Sequence, residues 1–419
     1  MIVARVVSSD RPEDLEIAFA RMALPVSARE YLLGKMPRMT LLLTGLDRVH
    51  GRFLRERIEA AEAPGREEYP AFVAGDQRHR PGSALLSGRL DQMERLAQEA
   101  RTAEDLRPLA DALSRALRSH EPPAPLALGD RTFDFGPSGL PFLMGIVNAT
   151  PDSFSDGGRF SGPEAVIEHG VALAAAGAEL LDVGGESTRP GAPDVPVEEE
   201  IRRVVPVIRA LRERTGLPIS VDTRKSEVAR AACEAGAVLV NDVSGLTHDD
   251  RLAEVTAQAG AALCVMHMRG SPETMQEEAH YEDVVVEVLE FLEHSIERAV
   301  RAGVPRERVI VDPGIGFAKT FAHNQFLMRR LPDFRLFGLP VLAGFSRKGF
   351  LGALTGKPPL ERVGATAASA VVATMNGGAD FLRVHDVAEV REAVIVAGAL
   401  RHAMGGGSLY ERPGRAARS

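Results

Sequence analysis

From about residue 126 the chain repeats one unit, a short apolar β-rich run followed by a helix-like stretch. The runs are PFLMGIVN (141–148), AELLDVGG (178–185), LPISVDT (217–223), AVLVNDVS (237–244), AALCVMHM (261–268), RVIVDPGIG (308–316), LPVLAGFS (339–346) and ADFLRVHD (379–386). Stretches such as PEAVIEHGVALAAAG and SEVARAACEAG lie between them. Eight strand–helix units in about 280 residues suit an α/β fold of the (β/α)8 barrel type. An open doubly wound sheet is the competing arrangement, but no GxGxxG follows the first run.

The runs begin apolar and end polar. Their ends carry Asn148, Asp182, Asp222, Asn241 with Asp242, His267, Asp312, Ser346-Arg347-Lys348, and Arg383 with His385 and Asp386. In a parallel barrel all C-terminal strand ends open onto one mouth, where sites are built. A single Asp at a strand end has a plainer use as a helix N-cap, and that use stays open for Asp182, Asp242 and Asp386. Eight polar ends together are poorly explained by capping.

Asp222, Asn241 and Asp312 make an acceptor-rich wall, which calls for N–H donors, a cation or a metal. Arg383, His385, Arg347 and Lys348 make a donor-rich wall suited to phosphate or carboxylate. Asn148 stands beside it and could ligate Mg²⁺ through its amide oxygen. Such a mouth suits a ligand with a guanidine-like edge at one end and an anion at the other. A di-cation metal site is the alternative for the acidic wall, disfavoured by the amide of Asn241 and the lack of further oxygen ligands.

Chain length brings in a second domain, because 419 residues exceed one typical core. The segment EPPAP (121–125) reads as a linker between an N-terminal α/β domain over 1–120 and the barrel over 126–404, with a frayed tail over 405–419. The first domain has apolar runs at Ile2–Val7, Met39–Leu43, Ala71–Val73 and Ala84–Leu86, and helical patterns over Leu90–Ser119. It carries no phosphate-binding glycine loop and no metal or nucleophile constellation, so no activity is assigned to it.

A net charge of −8 argues against general affinity for nucleic acid or anionic membrane, so an anionic ligand needs a local positive cluster. No apolar run approaches the roughly 18 residues of a membrane span, and the start of the chain lacks a secretory pattern. The only two cysteines, Cys233 and Cys264, lie outside any paired metal spacing. Buried thiols in a cytoplasmic protein are the expectation. Of 50 basic residues only five are lysines, at 35, 225, 319, 348 and 357, which suggests a compact ammonium is needed where lysine persists.

The segments GIVNATPDSFSDGG, LLDVGGESTRPGA, ISVDTRK, LVNDVSG, VMHMRGSPETMQ, VDPGIGFAKT, FSRKGFLG and FLRVHDV, in order on successive strands, resemble the dihydropteroate synthases, the folate-pathway transferases that sulfonamides target. The resemblance covers about Leu126 to Met404. It implies condensation of 6-hydroxymethyl-7,8-dihydropterin pyrophosphate with p-aminobenzoate, giving 7,8-dihydropteroate and pyrophosphate by a dissociative substitution.

Carried over by motif, it implies pterin contacts at Asp222, Asn241, Met266, Asp312, Lys348 and Arg383. It implies pyrophosphate contacts at Asn148, Arg383 and His385, with Mg²⁺ near Asn148. The p-aminobenzoate site falls on Phe154, Thr188, Pro190, Phe317, Ser346 and Lys348, with the carboxylate near Ser346 at a helix N-terminus. Catalysis rests on Lys348, Asp222, Asp312, Arg383 and His385, and Asp156 pairs with Arg189 when two loops close. A homodimer is implied by resemblance alone. Related alternatives are a methyltetrahydrofolate:corrinoid methyltransferase, which needs no pyrophosphate cluster, and a non-catalytic pterin-binding regulatory protein.

Overall fold

The computed structural model describes residues 39–43, 45–59, 70–74, 82, 84–119, 121–136, 139–150, 162–187, 194–270, 274–275 and 277–404. The apolar run Ile2–Val7, the tail 405–419, and the expected site residues Phe154, Asp156, Thr188, Arg189 and Pro190 lie outside these described residues. The chain divides into two compact units, one of Met1–His120 with Arg401–Ser419 and one of Glu121–Leu400, and each is described by itself.

In the N-terminal unit, strands β1 (Met39–Leu43), β2 (Ala71–Ala74) and β3 (Ala84–Gly88) form a sheet in the order β1-β3-β2. Both pairings are antiparallel. Helices α1 (Arg48–Glu59), α2 (Leu90–Ala100) and α3 (Arg107–Leu117) complete it. Phe53, Leu54, Leu86, Met93, Leu96, Leu109 and Leu113 share one buried cluster. The spacing of Met93, Leu96, Ala97 and Ala100 puts one apolar stripe of α2 against that cluster.

The second unit opens with a hairpin, β4 (Leu126–Leu128) and β5 (Arg131–Phe133). The barrel strands follow: β6 (Phe142–Asn148), β7 (Leu180–Gly184), β8 (Ile219–Asp222), β9 (Leu239–Asp242), β10 (Ala262–Met266), β11 (Val309–Asp312), β12 (Leu342–Ala343) and β13 (Phe381–Val384). They pair in parallel in the order β11-β10-β9-β8-β7-β6-β13-β12. A parallel bridge from Val311 to Val341 joins the two ends and closes the ring. The fold is the expected (β/α)8 barrel.

Helices α4 (Pro163–Ala176), α5 (Val197–Thr215), α6 (Ser226–Ala235), α7 (Leu252–Gln258) and α8 (Val284–Arg301) link the first six strands. Then come α9 (Phe321–Arg329), α10 (Gly349–Thr355), α11 (Val363–Met375) and α12 (Val387–Met404). Several helices stop in one way: Gly177 and Gly236 take left-handed conformations just past α4 and α6, which an L side chain resists. The chain then turns back within a few residues to start the next strand.

Strand alternation sorts the side chains into two sets. Leu143, Val147, Leu181, Val183, Ile219, Val221, Val240, Leu263, Val265, Val309 and Val311 belong to the large outer cluster with the helices. Met144, Leu180, Leu239, Cys264, Ile310, Leu342 and Phe381 form a second cluster inside the ring, shared with Leu126, Leu128, Phe133 and Phe135. The hairpin therefore closes the floor of the barrel, at the strands' N-terminal ends. Moving up the same inward columns, the residues change from apolar to Asp182, Asn241, Asp312 and Arg383, and on β8 from Ser220 to Asp222.

Candidate active site

Register brings the rim together before any side chain is considered. Asn148 pairs with Gly184, Gly184 with Asp222, and Asp222 with Asn241, so one row crosses four strands. Met266 pairs with Asp312 on the far side. Two glycines leave room above the floor. A β-carbon built at Gly184 would lie 3.6 Å from Asp222 Oδ2. One built at Gly344, just past β12, would lie 3.7 Å from Lys348 Nζ, 3.9 Å from Arg383 Cβ and 4.0 Å from Asp312 Oδ2. Lys348, Arg383 and Asp312 therefore converge on one point, as their shared placement at the mouth requires.

The carboxylates at this point are buried, Arg383 and Lys348 are half-buried, and the charges interlock. Arg383 Nε donates to Asp182 Oδ2 at 2.6 Å and Arg383 Nη2 to Asp222 Oδ2 at 2.5 Å. Asn241 Nδ2 donates to the same Asp182 oxygen at 3.0 Å. The backbone N–H of Gly314 donates to Asp312 Oδ1 at 2.7 Å. Among the described residues, Oδ1 of Asp182 and Oδ1 of Asp222 are buried acceptors that receive no hydrogen bond. Such an atom in a low-dielectric site is costly unless a donor reaches it.

Burial pushes the Asp222 carboxyl up to about 7, with Asp182, Glu200 and Glu186 adding negative charge and Arg383 opposing. Burial likewise raises Asp312, against the pull of Lys348. Lys348 is lowered to about 8 by burial, with Asp312 holding it back up. Its ammonium donates to the Ile315 carbonyl and stands 4.5 Å over the Phe317 ring. Perturbed acids and a perturbed lysine at one mouth mark a chemical site more than a structural one.

The expected donor wall is revised by the fold. Arg347 is engaged by both carboxylate oxygens of Asp386. Its backbone takes a left-handed turn, φ 58°. Arg383 lies across the acid wall, because bare carboxylates buried at Asp182 and Asp222 need a cation close by. Lys348 and His385 remain from that wall. Ser346 Oγ lies 3.0 Å from His385 Nδ1 and accepts from the His385 backbone N–H, so residues expected in two different subsites stand together. The helix after them, α10, starts at Gly349 with Lys348 as its cap residue, so Ser346 precedes that cap by two positions.

The capping alternative divides among the acids. Asp242 does serve local backbone, accepting from the N–H groups of Ser244 and Leu246. Asp386 pairs with Arg347. Asp182 caps nothing; it lies under the rim row, wholly buried. Met266 and Phe317, expected beside the pterin and p-aminobenzoate, share one small cluster with Val243, Met268, Met275 and Ala318. His267 faces away into a buried bond with Lys319, whose ammonium also donates to the Phe317 carbonyl. Burial drives the His267 pKa to about 2, so it stays neutral and accepts from that lysine.

A second buried network was not foreseen. Lys225 Nζ donates to Glu186 Oε2 at 2.6 Å and Glu200 Oε2 at 2.9 Å, and Thr223 donates to Glu200 Oε1. Arg224 bridges Glu186 and Asp194. Lysine scarcity was the signal: of the four lysines among the described residues, Lys225 and Lys319 are buried around the mouth and Lys348 is drawn into it.

Residues 144–385 match the model of the pterin binding enzyme family, more than half of the chain. The chain belongs to this family. The dihydropteroate synthase of Synechocystis is 45% identical over 279 residues, spanning 66% of this chain and 96% of that one. The solved dihydropteroate synthase of Xanthomonas albilineans, in a structure with 4-aminobenzoic acid, is 46% identical with a TM-score of 0.62, covering 67% of this chain and 98% of that one. The probable bifunctional folylpolyglutamate synthase/dihydropteroate synthase of Haloferax volcanii is 40% identical over 84% of this chain and 44% of its own. That share is larger than residues 121–419 can supply, so this likeness enters the N-terminal unit.

Proposed function

We infer that this chain catalyses the dihydropteroate synthase reaction, joining 6-hydroxymethyl-7,8-dihydropterin pyrophosphate to p-aminobenzoate and releasing pyrophosphate. The observation that carries the reading is the buried row of acceptors, Asp222 and Asn241 with Asp312 opposite, under Lys348 and Arg383, in a family whose relatives are dihydropteroate synthases. A pterin presents N–H donors along one edge, and Oδ1 of Asp222 is a buried acceptor lacking a donor. Met266 and Phe317 supply an apolar wall for its ring.

The bond from the pterin methylene carbon to pyrophosphate breaks with its electron pair leaving on pyrophosphate. Positive charge spreads into the ring, where Asp222 and Asp312 stabilise it as fixed, desolvated anions. The arylamine nitrogen then gives its lone pair to the carbon and passes its proton to the departed pyrophosphate or to solvent water. Lys348 and His385, near where the anion leaves, hold its charge, and Ser346 sets the His385 ring through the 3.0 Å contact. No protein nucleophile is required. Phe154, Thr188 and Pro190 complete the p-aminobenzoate side in this proposal, and Asp156 with Arg189 its loop closure.

Mg²⁺ fits the donors present. Among the described residues no group of three or more His, Cys, Asp or Glu could hold a metal, but Mg²⁺ keeps waters and binds through one protein ligand plus substrate phosphate oxygens. Asn148 at the end of β6 would hold it, and bound Mg²⁺ would neutralise charge on the departing pyrophosphate. We also propose a cytoplasmic homodimer. Its support is the free state of Cys233 and Cys264, the lack of any membrane-length apolar helix among the described residues, and exposed Phe326, Leu354, Leu360 and Val372 on or beside the packed helices α9, α10 and α11. Sedimentation would test the dimer.

The decisive test of the reaction measures pyrophosphate. It should be released only when p-aminobenzoate is supplied with the pterin pyrophosphate, and dihydropteroate should form in equal amount. Binding of pterin with no pyrophosphate release would leave only a binding protein.

A further inference from the structure

Among the described residues, Asp182 and Asp242 are buried carboxylates at the strand ends to which the family resemblance gives no contact, and Asp242 is taken up by the local backbone. Asp182 is wholly buried, one inward position below Gly184 on β7, beneath the rim row of Asn148, Asp222 and Asn241. Its Oδ2 receives two donors, Asn241 Nδ2 at 3.0 Å and Arg383 Nε at 2.6 Å. We propose that Asp182 is a positioning residue that fixes which end of the Asn241 amide faces the ligand, and thereby makes the pocket select a donor-edged heterocycle.

The argument is one of donor and acceptor chemistry. The oxygen that accepts from the Arg383 guanidinium has no proton to offer the amide and can only accept from it as well. The Asn241 atom facing Asp182 must therefore be the nitrogen. The carbonyl oxygen, on the other branch of the same planar amide, is left as an acceptor for the ligand. Without Asp182 the amide could turn over at little cost, presenting N–H₂ to the pocket and admitting rings that carry an acceptor there. Specificity against such a ring comes from pairing an acceptor with an acceptor, a mismatch that buried sites penalise heavily. The inference rests on the reading that Asn241 faces the pterin.

The experiment uses the full chain and two probes, pterin and lumazine, in which an oxo group replaces the 2-amino group. Affinities are measured for wild type, Asp182→Asn, Asn241→Leu and the exchange Asp182→Asn with Asn241→Asp. Wild type should prefer pterin. In Asp182→Asn that preference should fall by about tenfold, the scale of one buried donor–acceptor pair, while KM for p-aminobenzoate stays unchanged. In the exchange, the amide now at position 182 donates to a carboxylate at position 241, which presents an acceptor either way round, so the preference should return. A folding role alone would lower stability without moving this ratio. If Asp182→Asn folds and keeps the wild-type ratio, the proposal is overturned. Should that variant not fold, an exchanged pair that folds but has lost the preference overturns it instead. If Asn241→Leu binds pterin as wild type does, the reading beneath the proposal fails and takes the proposal with it.

Discussion

The floor and the mouth of this barrel are built from the same strands and obey opposite rules. At the floor, Phe133 meets Phe142 edge-on at 4.8 Å and Phe381 at 5.3 Å, while Leu126 and Leu128 of the same hairpin pack under Met144, Leu180 and Ile310. Arg131 of the hairpin lies over the Phe133 ring, 5.1 Å from its centroid, but the contacts inside the cluster are between apolar groups, and the rings meet in the tilted and edge-on geometries that aromatic pairs prefer. At the mouth, the buried Asp182, Asp222 and Asp312 crowd together with the half-buried Arg383 and Lys348, and two of the carboxylate oxygens receive no donor among the described residues. Buried ions seldom recover their desolvation cost, so this end is held in shape by the rest of the fold. A strand that is apolar below and charged above lets one end supply the stability that the other end uses.

The comparison predicts separable damage. Phe133→Ala empties the centre of the floor and should cost about 3–5 kcal/mol of stability, the usual loss for a buried aromatic. Thermal or urea unfolding would read it. The protein that remains folded should keep its KM for both substrates, since nothing at the rim touches Phe133. A large change in KM at low temperature would show that the two ends are not independent.

The mouth should behave the other way. Lys348→Ala should cost about 2–4 kcal/mol of transition-state stabilisation, the scale of one preorganised charged donor. Its melting temperature should barely fall, because a half-buried ammonium at lowered pKa contributes little to folding. Lys348→Arg should not rescue turnover: a planar fork cannot reach the Ile315 carbonyl, Phe317 and substrate from the same stem. Near-normal kcat/KM in the Arg variant would end this assignment.

Much of this was legible in the sequence, and the reason is local. The eight runs stand within a few residues of the eight strands because periodicity and turn chemistry act over short distances. Polar strand ends marked the mouth because parallel strands share one direction. The hairpin Leu126–Phe133 was not seen: its strands are three residues each, too short for a periodic signal. The partner of each charge was also hidden. Arg383 and Asp182 are 201 residues apart in the chain, and only closure of the ring makes them neighbours. Composition showed that charges meet at the mouth without showing that Arg347 would be taken by Asp386 or that Arg383 would cross to the acids.

Titration gives a smaller test of the mouth. Asp222 must be ionised to stabilise the positive charge that develops on the ring, and its pKa is raised to about 7, so kcat/KM for the pterin substrate should fall as pH drops through about 7. Lys348 must be charged to hold the anion, and its pKa is lowered to about 8, so the same parameter should fall as pH rises through about 8. The profile is then a narrow bell peaking between the two. In Lys348→Arg the alkaline limb should move out of range while the acid limb stays, even at reduced rate. A profile that is flat across both of these pKa values would contradict both assignments.

The smallest effect expected is from removing the N-terminal unit. If stability is supplied by the floor and chemistry by the mouth, residues before Glu121 belong to neither. Every buried side chain of the floor, from Leu126 on, and every charge of the mouth lies in the second unit, and the first has its own core around Leu54, Met93 and Leu113. A fragment of residues 121–404 should therefore fold, melt within a few degrees of the full chain, and form dihydropteroate with kcat/KM changed by about twofold or less, below the roughly 1.4 kcal/mol that a tenfold loss represents. The comparison would be sharpened by that result, since the floor alone would then account for the barrel's stability. A folded fragment with the charges of the mouth intact and no turnover would break it, and would assign the N-terminal unit a direct part in catalysis.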